Sequence, residues 1–567
     1  MKENSPTVFI KSLYLKFHSF YQSINIEKYH DISFLLIILI IGGIIRIRGL
    51  ISFNFPMTIP YNGGGLYYAF IQAIIAHQFN YPAYIPNFTA DGLPFVYPPL
   101  CFYILAVISI FFHLDPLILI NYSPTIISII NIGLFFLLSK ELFAEKKLIY
   151  FSSLLFAISP VVIYPKFFTS GSELIHAAGL TLLLLGILFQ IRSRKQQKLL
   201  DYLFFGIILG LTIITSPAAA FLLVIIYLID TIIHLTTTKN RLKEILFAFL
   251  IAFSISLFWL INVYTNHGIG FIVSGFLFKQ DTSILWFFIK SAAKLSVLNG
   301  FSPFYPPWFL VILIGLGYCL LQKEWFYPFW FLCWLFSPES YYYLFIPAIF
   351  LITICLLKFI IPNLVDNAKI ELNKALLINI VSFILLSMVI LHPIALGEIN
   401  SYKSGGDPTK SLSHIQKEQL DFDAMNWIAE NTPEDSIFIA KDILYTTIEE
   451  GWMYGDWFPA ISKRTTLNVH FGSEWTGEFE KLWEIDEQIH QISVAEELIK
   501  FSDENDLNFS HIYVHNTPVN QQILSNLRES NSFTLIYANE YVNIYKFDRY
   551  DGTCTYNSNT DAPKYFP

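Results

Sequence analysis

The sequence predicts an α-helical polytopic membrane protein, about 11–12 transmembrane helices followed by a C-terminal extracytoplasmic α/β domain. Three observations predict it. Of the 567 residues, 54% are hydrophobic and only 14% charged, with a mean hydropathy of +0.51, whereas soluble domains carry roughly 25% charged residues. Long apolar runs recur up to residue 393 and then stop. The charge changes sign at the same place: residues 1–393 hold 24 Lys and Arg against 16 Asp and Glu, and residues 394–567 hold 12 against 28. A net charge of −8 therefore hides a basic membrane body and an acidic water-soluble domain. This composition excludes an ordinary cytoplasmic enzyme, and no nucleic-acid partner is expected of it.

Residues 1–31 are a mixed polar stretch that reads as a cytoplasmic tail rather than a signal peptide. Apolar runs follow at about 32–50, 95–114, 118–138, 148–165, 172–191, 200–215, 217–235, 245–263, 307–322, 325–337, 341–361 and 374–393. Lys and Arg mark the cytoplasmic loops: Lys140, Lys146 and Lys147; Arg192, Arg194, Lys195 and Lys198; Lys239, Arg241 and Lys243; Lys369 and Lys374. Before residue 140 these marks conflict in parity, because two runs lie where an odd number of spans is needed. The conflict is resolved if 95–114, which opens with Tyr97-Pro98-Pro99, is a re-entrant or juxtamembrane helix. The extracytoplasmic pieces are then the loops 51–94 and 264–306 and the domain 394–550.

In that domain, 415–430, 493–503 and 518–530 read as helices and 436–441 and 511–515 as strands. Residues 533–547 read as a hairpin turning near Asn539-Glu540, and 551–567 as a disordered tail. Cys101, Cys319, Cys333 and Cys355 lie in apolar runs and Cys554 stands alone, which suggests neither a disulfide framework nor a Cys-based metal site.

The chemistry-bearing residues cluster in the loops. Arg46 and Arg48 end the first span; there they snorkel to headgroups or hold a lipid phosphate, which Arg grips bidentately. The next loop runs Tyr61-Asn62-Gly63-Gly64-Gly65-Leu66-Tyr67-Tyr68, where glycines before a helix permit close backbone approach. Asp91 is the only carboxylate of this loop, shortly before Tyr97-Pro98-Pro99-Leu100, and Glu173 opens the span at 172–191. The soluble domain carries Gly451-Trp452-Met453-Tyr454-Gly455-Asp456-Trp457 and then Lys463-Arg464-Thr465-Thr466-Leu467. Trp452, Tyr454 and Asp456 suit a sugar ring, by stacking and hydroxyl bonding; the same aromatics would equally dock the domain on the membrane face.

This order of parts resembles the GT-C superfamily of polytopic glycosyltransferases, which includes protein mannosyltransferases, aminoarabinose transferases and oligosaccharyltransferase catalytic subunits. The stretch from Trp452 to Leu467 is similar to the oligosaccharyltransferase run Trp-Trp-Asp-Tyr-Gly followed by Arg-Thr-Thr-Leu, with Met453 in place of its Asp. The resemblance implies a GT-C-like fold and transfer of a sugar from a polyprenyl-phosphate-linked donor to a glycan, lipid or protein acceptor at the extracytoplasmic face of the cell membrane. It also implies Asp91 or Glu173 as the catalytic carboxylate, with Asn62, Tyr67, Arg46, Arg48, Trp452, Tyr454, Asp456 and Arg464 on the substrates. Family members place an acid where this chain has Asn62, and an amide cannot take a proton from a hydroxyl at neutral pH. An inactive relative kept as a sugar-binding or assembly subunit is therefore a rival reading. A lipid-carrier transporter is another, disfavoured because the spans are nearly free of charge. No cofactor is implied with certainty: a divalent metal finds no ligand spacing, even around His470, Glu474 and Trp475.

Overall fold

A computed structural model describes residues 26–51, 64–89, 91–159, 174–235, 241–271, 307–337, 340–363, 414–441, 455–470, 472–505 and 507–548. The N-terminal body contains α1 (Ile26–Ile51), α2 (Gly64–Ala76), the short antiparallel pair β1 (Tyr84–Ile85) and β2 (Leu93–Pro94), α3 (Leu100–Phe112), α4 (Pro116–Leu142), α5 (Lys146–Ile158) and α6 (Leu174–Gln196). It continues with α7 (Leu199–Ile213), α8 (Pro217–Ile233), α9 (Leu242–His267), α10 (Pro307–Leu321), α11 (Phe326–Leu335) and α12 (Phe345–Ile354), the last extended by a π-helical turn. Among the described residues, five helices are long and apolar enough to cross a membrane: residues 30–47, α4, α6, α9 and the run 345–363. Six further apolar helices are shorter. The expected run 374–393, the loop 272–306 and the tail 551–567 lie outside the described residues.

Local signals set several boundaries. Asp115 accepts from the N–H of Leu117 at 2.7 Å and Pro116 opens α4; Ser216 and Pro217 do the same for α8. The basic marks gather at one end of the bundle, where Lys140 meets Asp31 at 2.6 Å, Arg194 meets Asp230 at 3.0 Å and Arg241 donates to Gln197. Inside the bundle, Arg46 is buried and donates to Ser128 Oγ and to the carbonyls of Gly42, Ala157 and Phe156. It closes the C-terminus of α5, where unpaired carbonyls favour a cation.

The segment 95–114 yields only the 13 residues of α3, about 20 Å of helix against a bilayer core of about 30 Å. Both of its ends face the C-terminal domain: Tyr97, before it, donates to Glu474 at 2.6 Å, and Leu117, after it, packs on that domain's core. The two ends of the helix thus lie near the same domain, the arrangement that a re-entrant or juxtamembrane 95–114 would give. Cys101, Phe102, Leu105 and Ala106 are buried, while Ile104, Val107, Ile110 and Phe111 form a bare apolar face suited to lipid.

The C-terminal domain contains α13 (His414–Asn431), β3 (Ile437–Lys441), α14 (Trp457–Ser462), β4 (Thr465–Thr466), α15 (Phe479–Gln491), α16 (Ala495–Glu504), β5 (His511–His515), α17 (Gln521–Glu529), β6 (Phe533–Ala538) and β7 (Val542–Phe547). The strands form one sheet in the order β4-β3-β5-β7-β6; β4, β3 and β5 are parallel, and β7 is antiparallel to β5 and β6. Alternation decides the layers. Phe438, Ala440 and Tyr513 face α13 and α14, whereas Ile439, Ile512 and Val514 face α15, α16 and α17. The β6–β7 turn is fixed by Asn539, whose Oδ1 accepts from the N–H groups of Tyr541 and Val542. The strands and the hairpin match the sequence expectation; α14, β4 and α15 add to it.

The placement of α3 predicts that single cysteines at the exposed positions Gln78 and His113, in a chain without its native cysteines, are labelled by a membrane-impermeant maleimide from the same side of sealed vesicles. Labelling from opposite sides would overturn it.

Candidate active site

The C-terminal domain sits on the first loop through the segment 455–475. Helix α2 begins with Gly64-Gly65, and the N–H of Leu66 donates to Asp456 Oδ2 at 2.9 Å. A Cβ on Gly65 would lie 2.5 Å from the backbone of Asp456, so only glycine admits this approach. The expected service of the glycines is thus met by the protein's own domain. Around the contact, Tyr68 packs on Trp457 with ring centroids 5.8 Å apart, the N–H of Thr466 donates to Asn87 O at 3.1 Å, and Val469 is buried in the loop core with Leu66, Phe70 and Phe95. Gly472, at φ +94°, presses its turn against Leu66 and Leu93.

Two carboxylates and two tyrosines meet at this junction. Asp456 is fully buried, and its Oδ1 has no hydrogen-bond partner among the described residues. Burial pushes its carboxyl up to about 6, with a further push from Glu474, against the downward pull of the N–H groups of Leu66 and Gly65. Glu474 Oε2 accepts from Tyr97 Oη–H at 2.6 Å and from the N–H of Gly472 at 2.9 Å. Burial, and then Glu474, hold the Tyr97 phenol well above its usual range, so it stays a donor. Tyr67 is buried, its ring 5.2 Å from Phe102, and lies within electrostatic reach of Tyr97.

Of the residues expected from the sequence, Tyr67 and Asp456 belong to this junction. Asp91 is exposed on the turn between β1 and β2. Asn62, Glu173, Trp452 and Tyr454 lie outside the described residues, as does the side chain of Arg48. Two expectations are corrected. Arg46, expected to face headgroups or a lipid phosphate, lies inside the bundle with its donors on carbonyls and on Ser128. Arg464, expected as a substrate contact, directs all five N–H donors inward, to Thr432 Oγ1 and to the carbonyls of Ala429, Thr432, Ser462 and Lys463. Tyr97 and Glu474 join the site from outside the sequence expectation. Their signals are the Tyr-Pro-Pro motif and an acid after a metal-like but unconvincing spacing. Among the described residues, no group of three His, Cys, Asp or Glu could hold a metal ion.

No protein-family model matches the sequence, and no curated protein does. Solved structures do match. The oligosaccharyltransferase of Archaeoglobus fulgidus tethered with an acceptor peptide containing the NVT sequon gives a TM-score of 0.54 at 14% identity, over 86% of this chain and 69% of that one. AglB, an archaeal oligosaccharyltransferase from the same organism in complex with an inhibitory peptide and a dolichol-phosphate, gives 0.50 at 15%, over 86% and 70%. ArnT from Cupriavidus metallidurans bound to undecaprenyl phosphate gives 0.52 at 11%, over 91% and 97%. This chain shares the fold of these proteins, the GT-C-like fold that the sequence resemblance implies.

Two tests follow from the junction. Gly65→Ala forces the domain off α2 at a cost of about 1–3 kcal/mol, read as a lower melting temperature and faster proteolytic release of the domain; an unchanged melt and proteolysis pattern would overturn the contact. A carboxyl held at about 6 when folded, against 3.8 in the unfolded chain, binds more protons folded than unfolded between those values. Its contribution is therefore full below pH 4 and declines as pH rises through 6, by about 3 kcal/mol. Thermal melts of the wild type and Asp456→Asn across pH 4–7 check it, since the variant loses this part of the slope.

Proposed function

We propose that the chain is a membrane glycosyltransferase that moves a sugar from a polyprenyl-phosphate-linked donor to an acceptor on the extracytoplasmic face of the cell membrane. The observation that carries this reading is the junction itself: carboxylates and phenols gathered where the first-loop helix meets the C-terminal domain. The GT-C fold supports it, since the solved neighbours include proteins bound to dolichol-phosphate and to undecaprenyl phosphate. A lipid-linked donor keeps its tail in the bilayer and its phosphate at the interface, so a sugar presented beside α2 lies under the domain. In this reading a carboxylate takes the acceptor's proton, and cationic or backbone donors stabilise the departing phosphate. Asp91 and Glu173 are the carboxylates proposed from the sequence; Asp91 is exposed on a loop turn.

The presence of Asn62 where related proteins carry an acid favours a second reading, a chain that binds a lipid-linked sugar without turnover. Incubating the purified protein with radiolabelled undecaprenyl-phosphate sugars separates the two. Transfer is expected from the wild type, and a loss of about 10²-fold or more in Glu173→Ala or Asp91→Ala would mark that residue as the proton acceptor. Transfer that survives both changes leaves the reaction standing and removes both residues from it.

A further inference from the structure

We infer that Glu474, on the C-terminal domain, supplies the carboxylate missing from the first loop, accepting the proton of an acceptor hydroxyl, with Tyr97 and Asp456 as its positioning residues. The inference rests on the transferase reading and deepens it by naming the base.

Four observations carry it. Asn62 cannot do this chemistry, and α2, which begins two residues later, is the element on which Asp456 and the turn of Glu474 are seated. Glu474 is only partly buried among the described residues, whereas Asp456 is fully buried and already holds the N–H of Leu66. The carboxylate is also held still. Tyr97 and the N–H of Gly472 both donate to Oε2, leaving Oε1 outside these bonds, and Gly472 is wedged between Leu66 and Leu93. A base on a locked rotamer is worth more than one on a mobile loop, because proton transfer needs hydrogen-bond reach. Finally, Asp456 keeps Oδ1 buried without a hydrogen-bond partner among the described residues, and it lies within electrostatic reach of Tyr97.

In the transfer step the acceptor oxygen forms its bond to the anomeric carbon, and the bond from that carbon to the phosphate oxygen breaks with its electron pair going to the phosphate. The acceptor's proton passes to Glu474 Oε1, and polyprenyl phosphate leaves as the anion.

The experiment uses the full-length protein in lipid nanodiscs, undecaprenyl phosphate carrying radiolabelled mannose or glucose as donor, and an octyl glycoside as hydroxyl acceptor. Donor binding and transfer are measured separately. For Glu474→Gln, kcat is expected to fall at least about 10²-fold with donor binding within threefold of wild type. Glu474→Asp should recover part of kcat, and Tyr97→Phe should keep transfer but displace the acid limb of its pH profile. If Glu474→Gln does not fold, Glu474→Asp decides: a fall in kcat with binding retained supports the assignment, and an unchanged kcat overturns it. A wild type that transfers while Glu474→Gln keeps more than a third of its kcat overturns the assignment alone. A wild type that binds donor without transfer overturns the assignment and supports the non-catalytic reading; one that neither binds nor transfers overturns the transferase reading itself.

Discussion

At the centre of the junction between the two halves of this protein, the N–H of Leu66 donates to the buried carboxylate of Asp456. A helix start leaves N–H groups without intrahelical partners, and a carboxylate is the best group to receive them. Here that carboxylate comes from another domain, so capping α2 and docking the domain are one event. The contact is demanding on both sides. It needs a glycine at 65 for the backbones to meet and another at 472 for the following turn to lie flat on Leu66 and Leu93. Breaking it would leave a buried carboxylate and a buried donor facing nothing, which costs more than the bond itself contributes.

Guanidinium groups do a related job at the opposite polarity. Arg46 gathers the last carbonyls of α5 inside the bundle, and Arg464 gathers those at the end of α13 in the soluble domain. In the sequence both resemble ligand contacts, because an arginine beside a lipid interface or an aromatic motif is chemically suited to phosphate or sugar. What decides otherwise is burial next to a helix C-terminus, a property of the fold rather than of the neighbouring residues.

Much of the architecture was legible where periodicity and charge speak directly. Helices α1–α12 lie before the change of composition at residue 393 and the sheet after it, and β3, β5 and the β6–β7 hairpin fall where alternating apolar residues and turn residues place them. Helix α3 was legible only through parity. Its residues are apolar on both faces, one packed on protein and one bare, so hydropathy alone cannot tell it from a span. The junction was half legible. Glycines before a helix announced a close approach without saying to what, and Asp456 stood in an aromatic motif. Glu474 and Tyr97 lie 377 positions apart, a pairing that no local pattern records.

That separation bears on how the molecule is made. Leu66 leaves the ribosome 390 residues before Asp456, an interval of roughly 20–80 s at ordinary translation rates of about 5–20 residues/s. Throughout it, α2 has a membrane-side neighbourhood but no cap, and the junction holds tyrosine without its carboxylate partner. The junction can close only after the helical body that precedes it has been synthesised.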